Sequence, residues 1–407
     1  MSRLTTLITS KAKLAAIKVA ITVLPAPRPI VLLGEDSAVR LCATIAHLSA
    51  KRVLIVTDDI LFKLGVITPI AEALTANGVA SVVFSGVKPD PTMSVVEQGL
   101  TMLRAERCDA VLAVGGGSSI DAAKVIALSY SNNKHPRELV GILKARKPSL
   151  PLFVVPTTAG TGSEVTVGAV ISDDVSHQKG LVLDPRLVPL ATALDPKIMA
   201  GMPRGVTADT GMDALTHALE AWMSDFANAE TDYYAGAAVG MIFNNLPVAW
   251  ADGKNLQARE ALGLASHYAG LALNHAGLGY VHGIAHQLGA FYGVPHGRAN
   301  ATVLPHILDF NRDVSMARLA QLARQVELAG VGQSDRVAAD NLIKHVKQLV
   351  LDLQINTHIP KMNAGDFPAI IAGAFAEVHG TYAVAKYMDE DEALKILYTL
   401  QQPAQLA

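Results

Sequence analysis

The first half of the chain alternates short β-branched runs with helical stretches, and this alternation restricts the fold more than any other feature. The runs lie at Ile30–Leu33, Arg52–Thr57, Ala80–Ser85, Ala110–Val114 and Leu152–Val155, with helical patterns such as Met93–Arg104 and Ser118–Leu128 between them. Strands that alternate with helices pair in parallel through right-handed crossovers, so the pattern predicts an α/β sheet with helices on both faces. Val165–Ile171 and Gly180–Leu183 read as a small added hairpin. After Asp195-Pro196 the texture changes to Ala, Leu and Gly at helical spacing, as in Ala235–Ile242 and Ala261–Leu273. The expected architecture is α/β plus all-α: a parallel-sheet domain over residues 1–199, then an all-helical domain over 200–407. A chain of 407 residues suits two domains of ~100–200 residues each. Domains that meet without a flexible linker make a cleft, and clefts hold ligands.

Composition narrows the function. Half the residues are apolar and 17% are charged, which excludes a disordered chain. The net charge of −2 gives no polyanion-binding surface, so nucleic acid is not expected as a partner. Cys42 and Cys108 are too few for a disulfide framework or a thiolate metal cluster, which fits a reducing compartment. No run reaches the ~18 uninterrupted apolar residues of a membrane span, so no membrane partner is expected. Residues 1–34 carry five cations (Arg3, Lys11, Lys13, Lys18, Arg28) and no acid, with Leu14, Ile17, Ile21 and Leu24 at helical spacing. Such a start reads either as an organelle transit peptide or as an extra N-terminal helix over about 3–24. The second reading is adopted, with a cytoplasmic location.

Two glycine-rich turns follow strands. The first, Gly115-Gly116-Gly117-Ser118-Ser119-Ile120-Asp121, opens a helix whose free N–H groups and positive dipole end suit a phosphate. It lacks the Rossmann G-x-G-x-x-G pattern, because Ile120 stands in the third glycine's place. The second, Pro156-Thr157-Thr158-Ala159-Gly160-Thr161-Gly162, offers threonine hydroxyls to a phosphate or ribose. Open α/β sheets bind ligands at the carboxyl edge of their strands, where both turns fall. Asp58, just past the run Arg52–Thr57, can accept from a ribose 2′-hydroxyl and would repel a 2′-phosphate; it can equally cap a helix.

Histidines concentrate downstream. Five of the thirteen lie in the 32 residues from His275 to His306. Asp213 and His217 are four apart in a helical stretch, as are His282 and His286, and His296 follows a Gly293-Val294-Pro295 turn. An i, i+4 spacing puts two side chains on one helix face and can give a metal two ligands from each of two helices. Imidazole and carboxylate together suit iron(II) or zinc. His267, His275 and His306 have no partner at telling spacing and read as core or supporting residues. Neither a G-x-S-x-G elbow nor an H-E-x-x-H zinc motif occurs.

Four segments are similar to the iron-containing (group III) alcohol dehydrogenases: Gly115–Lys124, Pro156–Thr166, Gly211–Ala221 and His282–Ala301, in the same order. The resemblance implies an N-terminal dinucleotide-binding domain and a helical metal-binding domain. It implies Asp213, His217, His282 and His296 as metal ligands, and places His286 beside the nicotinamide and substrate rather than on the metal. It implies Gly116, Gly117, Ser118 and Asp121 in the pyrophosphate turn, and Thr157, Thr158 and Thr161 in the second nucleotide loop. It also implies Lys179 at the ribose and Asp58 as a preference for NAD over NADP. Where the family often has Pro-Asn-Pro-Thr near the adenosine, this chain has Pro89-Asp90-Pro91-Thr92; an ionised Asp90 can only accept. Where the family often shows Asn-Pro-Arg near its end, Thr381–Asp389 reads TYAVAKYMD.

The activity so implied is hydride transfer between NAD and a small alcohol, aldehyde or ketone. Iron(II), or alternatively zinc, acts as Lewis acid on the substrate oxygen, and His286 acts as proton relay. A homo-oligomer is implied as well. Two other readings share the features: a metal- and NAD-dependent lyase of the dehydroquinate synthase type, and a non-catalytic nucleotide or metal sensor. The lyase needs several Lys and Arg side chains around an anionic substrate, whereas the metal motifs are bordered by Arg298 and mostly by Gly, Ala, Leu, Phe291 and Tyr292.

Overall fold

The computed structural model describes Ser10, residues 13–15, Lys18, residues 27–174 and residues 179–401. Those few described residues before 27 are helical, and the rest of the helix expected over 3–24 lies outside the described residues. The chain divides into two compact units. One comprises residues 25–202 and 253–267; the other comprises 203–252, 268–401 and the described residues before 25.

The first unit is built on a six-stranded parallel sheet in the order β1-β9-β6-β4-β2-β3. Its strands are β1 Ile30–Leu33, β2 Arg52–Asp58, β3 Ala80–Val87, β4 Ala110–Gly115, β6 Leu152–Pro156 and β9 Ala191–Leu194. Alternate residues of the central strands face opposite sides. Leu54, Val56, Val111, Ala113 and Val154 fall in one buried cluster, while Val53, Ile55, Leu112, Val114, Phe153 and Val155 fall in the other. Burial on both faces explains why these strands read as unbroken apolar runs. Strand β9 was not expected: Ala-Thr-Ala-Leu is short and holds one β-branched residue, yet it pairs with both β1 and β6. The expected hairpin is present as β7 Gly168–Ser172 antiparallel to β8 Lys179–Leu183, with β5 Gly141–Ile142 added beside β8.

The register sets the site. β4 pairs with β6 so that Gly115 lies opposite Pro156, and with β2 so that Ala113 lies opposite Val56. The carboxyl ends of three neighbouring strands thereby carry Asp58 and the two glycine-rich turns.

The second unit has helices and no strand among its described residues. Its Arg204–Met223 helix is buried at every position from Gly211 to Met223. Asp213, His217 and Glu220 therefore lie in the interior, where polar groups must find partners. No described helix is long and apolar enough to cross a membrane.

Candidate active site

Three helices bring four ligand atoms together. The Arg204–Met223 helix supplies Asp213 and His217, the Tyr280–Tyr292 helix supplies His282, and His296 opens the helix His296–Asn311. From Asp213 Oδ1 the distances are 3.3 Å to His296 Nε2, 3.7 Å to His282 Nε2 and 3.9 Å to His217 Nε2. All four ligand atoms lie within 4.8 Å of one another. Tetrahedral bonds of ~2.0–2.2 Å would set ligand atoms about 3.4 Å apart, so the cluster has the size a small divalent cation needs.

Electrostatics agree. Burial opposes ionisation of Asp213, yet His217 and His296 hold its carboxyl well below the usual range. Burial likewise opposes charging of His282, but Glu220 and Asp213 push it up to about 9. The pocket thus attracts positive charge. Where the lone pairs converge, Asn300 Nδ2 lies 2.7 Å from Asp213 Oδ1, 3.1 Å from His282 Nε2 and 3.2 Å from His296 Nε2. Its own Oδ1 is buried without a partner. A donor amid three lone-pair atoms is an imperfect substitute for a cation, and the residues present fit a metal.

Glu220 was missed by sequence reasoning. Its Oε2 accepts from His282 Nδ1 at 2.6 Å and from Gly279 N–H at 2.9 Å, and its Oε1 accepts from Val281 N–H at 2.7 Å. This fixes the His282 tautomer, leaving Nε2 for a metal, and satisfies free donors at the start of the Tyr280–Tyr292 helix. The signal was present: Asp213, His217 and Glu220 follow an i, i+4, i+7 spacing on one face.

His286, one turn beyond His282, is not in the ligand set. Its ring stacks on His296 at 5.2 Å between centroids, and its Nδ1 lies 2.7 Å from Glu377 Oε1. Glu377 also accepts from the Tyr382 hydroxyl at 2.8 Å. Neither residue was anticipated from the sequence. His267, read as a core or supporting residue, pairs within the sheet unit with Glu164 at 3.1 Å, both buried.

The nucleotide candidates also assemble. A Cβ on Gly116 would sit 3.4 Å from Thr158 Oγ1, and one on Gly117 would sit 2.8 Å from Thr161 Cγ2, so the two turns are in contact. The helix Gly117–Asn132 begins with no side chain capping its first N–H groups, among them that of Ser118. The Thr157 N–H donates to the Gly115 carbonyl at 3.0 Å. Asp58 Oδ1 accepts from Leu61 N–H at 2.9 Å, so it does cap the next helix. Asp90 and Lys179 form an ion pair at 3.0 Å.

Asp121 turns inward: Oδ1 accepts from Ser163 Oγ at 2.6 Å and Oδ2 from Val170 N–H at 2.9 Å. It ties the second turn and the hairpin to the helix. Lys124, fully buried, donates to Thr166 O, Thr166 Oγ1 and Gly168 O at 2.7–3.1 Å and reinforces the same tie. Replacement of Gly117 by alanine is expected to push Thr161 aside and weaken binding of a dinucleotide by several-fold, on the order of a 1 kcal/mol loss. Bound metal should stay unchanged; a binding titration with metal analysis checks both.

Two contacting glycine turns at the carboxyl edge of a parallel sheet suit a dinucleotide, and the buried carboxylate and three imidazoles of the helical unit suit a metal. Two family models match in succession: "Iron-containing alcohol dehydrogenase" over residues 28–196, and "Fe-containing alcohol dehydrogenase family, C-terminal" over residues 207–400. The chain belongs to the iron-containing alcohol dehydrogenase family. Alcohol dehydrogenase 4 of Schizosaccharomyces pombe is 36% identical over 368 residues, covering 89% of this chain and 86% of that protein. The NAD-dependent methanol dehydrogenase of Bacillus methanolicus is 35% identical over 352 residues, covering 86% and 92%. The crystal structure of a 1,3-propanediol oxidoreductase superposes with a TM-score of 0.89 at 35% identity, covering 92% of this chain and 99% of that one.

Proposed function

We propose that this enzyme transfers hydride between NAD and a small uncharged alcohol or the corresponding aldehyde or ketone, with iron(II) held by Asp213, His217, His282 and His296. The observation that carries the reading is the buried convergence of one carboxylate and three imidazoles, with distances of 3.3–3.9 Å from the carboxylate. The metal supplies Lewis acidity toward the substrate oxygen. Zinc fits the same donors and loads according to availability. The enzyme is further proposed to be a cytoplasmic homo-oligomer.

Each group has a task. The N–H groups at Gly116, Gly117 and Ser118 receive the pyrophosphate, and the hydroxyls of Thr157, Thr158 and Thr161 bond phosphate or ribose. Lys179, oriented by Asp90, reaches the ribose. On oxidation, bound NAD would supply the acceptor for the carbinol hydrogen and its electron pair, which leaves a carbonyl. The hydroxyl proton goes to His286 Nε2, and from there to solvent.

Asp58 predicts the cofactor preference. An aspartate about 5 Å from a 2′-phosphate repels it by roughly 1–3 kcal/mol, so NADP is expected to be used at least about tenfold less well than NAD. Asp58→Asn keeps the acceptor for Leu61 N–H, because Asn caps as well as Asp, and should narrow that gap. Parallel kcat/KM measurements with both cofactors check it.

The function itself is tested by a panel of small alcohols and aldehydes on the iron-loaded enzyme, read at the reduced-nicotinamide band. Net cofactor reduction by an alcohol is the expected result and excludes the lyase, which uses NAD only transiently. Metal and NAD binding without turnover on any member would instead indicate a sensor.

A further inference from the structure

We propose that Glu377 is a positioning residue for His286, held in place by Tyr382, so that the Thr381–Asp389 segment helps to build the active site. The proposal rests on the reading of His286 as the group that takes the substrate proton. Three observations carry it. Glu377 Oε1 lies 2.7 Å from His286 Nδ1. A carboxylate oxygen accepts only, so in the neutral ring the proton sits on Nδ1 and the lone pair on Nε2. The same Oε1 accepts from the Tyr382 hydroxyl at 2.8 Å, and two donors on one oxygen fix the carboxylate as well as the imidazole.

The third observation is the clamp on the ring itself. It stacks on His296 at 5.2 Å with 19° between planes and meets the His282 ring edge-on at 5.8 Å. Face and Nδ1 are both engaged, and Nε2 makes no hydrogen bond among the described residues. Nε2 is the ring's remaining proton acceptor. When it takes the substrate hydroxyl proton, the ring becomes an imidazolium whose Nδ1–H still faces the Glu377 carboxylate. Release of that proton to water then restores the starting tautomer. Glu377 comes from the helix Phe367–Val378 and Tyr382 from the Thr381–Asp389 segment that follows it.

The test is a double-mutant cycle on the iron-loaded enzyme, with bound iron measured for every variant. Glu377→Ala is expected to lower kcat by about 10–100-fold, the usual effect of losing an orienting partner, with the KM for NAD and the iron content within about twofold of wild type. Tyr382→Phe should lower kcat by less, and Glu377→Gln, which keeps an acceptor oxygen, should fall between wild type and Glu377→Ala. In a His286→Ala background, Glu377→Ala should cost almost nothing more, because residues acting through one another are non-additive. A second readout is independent of turnover. ¹⁵N spectra of the zinc-loaded protein should show the His286 proton on Nδ1 in wild type and a shift toward Nε2 in Glu377→Ala.

An unchanged kcat in Glu377→Ala, an equal loss in the His286→Ala background, or an unchanged tautomer would each overturn the proposal. If His286→Ala itself keeps full turnover, the proton-relay reading fails and this proposal with it. If His286→Ala loses turnover while Glu377→Ala does not, only this proposal fails.

Discussion

Glu220→Ala is expected to lower Tm by on the order of 10 °C and to weaken metal binding by about 10–100-fold. The stability loss follows from three buried contacts on one carboxylate. The N–H groups of Gly279 and Val281 donate to it at 2.9 and 2.7 Å, and His282 Nδ1 faces it at 2.6 Å. Truncation strands two backbone donors at a helix start, and a buried donor left unsatisfied costs about 1–3 kcal/mol. The helix also loses a carboxylate at its positive end. A loss of about 3–5 kcal/mol corresponds to roughly 2–4 °C per kcal/mol in a unit of this size. The metal effect is separate: without Glu220 nothing holds the His282 proton on Nδ1, and removal of such an orienting partner costs about 10–100-fold in affinity. Glu220→Gln separates the two effects. Its amide oxygen can still accept one N–H, so it should recover part of the Tm and little of the metal affinity. Thermal melts and metal titration on the same preparations check both halves.

The second large effect is expected at Gly297, beside the ligand His296. A Cβ there would run into the backbone oxygen of Asp209 and lie 2.7 Å from its carbonyl carbon. Backbone of the Arg204–Met223 helix cannot swing aside as a side chain would. Arg298 pins the same contact, donating to Asp209 through Nε at 2.7 Å and Nη2 at 3.1 Å. Two effects compete in Gly297→Ala. Alanine is the better helix former by about 1 kcal/mol, while overpacking costs about 1–3 kcal/mol or more. The clash falls on backbone, so it should win. The predicted outcome is a lower Tm and a His296 displaced from Asp213, with turnover reduced by at least about 100-fold as positioning is lost. An unchanged or raised Tm with full turnover would show that the two helices tolerate more separation than the structure indicates.

Legibility in the sequence follows the range of the interaction. The five expected strand runs are all present: β2, β4 and β6 are buried on both faces and declare themselves locally, while β1 and β3, at the sheet edges, are betrayed by their β-branched residues. Strand β9 does not, since the contacts that make Ala191–Leu194 a strand come from β1 and β6, far away in sequence. Asp213, His217, His282 and His296 were named through the family resemblance; helical spacing alone paired His282 with His286. The structure shows why the spacing misleads: His286 is turned to Glu377, contributed by a helix ninety residues on. Glu220 was recoverable from its spacing to His217, whereas Glu377 and Tyr382 were not, because a carboxylate meeting an imidazole across two helices leaves no local trace. Asp121 is a similar case. Its place in the glycine motif suggested a cofactor contact, and its hydrogen bonds to Ser163 and Val170, far away in sequence, could not be read from that motif.

The account depends above all on a metal at the convergence of three helices, and anomalous diffraction from crystals of the iron-loaded enzyme tests that most directly. The predicted result is one peak per chain at the iron edge, about 2.0–2.2 Å from Asp213, His217, His282 and His296, and none in crystals of His282→Ala. A peak on other residues, or an equal peak in the His282→Ala crystals, would contradict it.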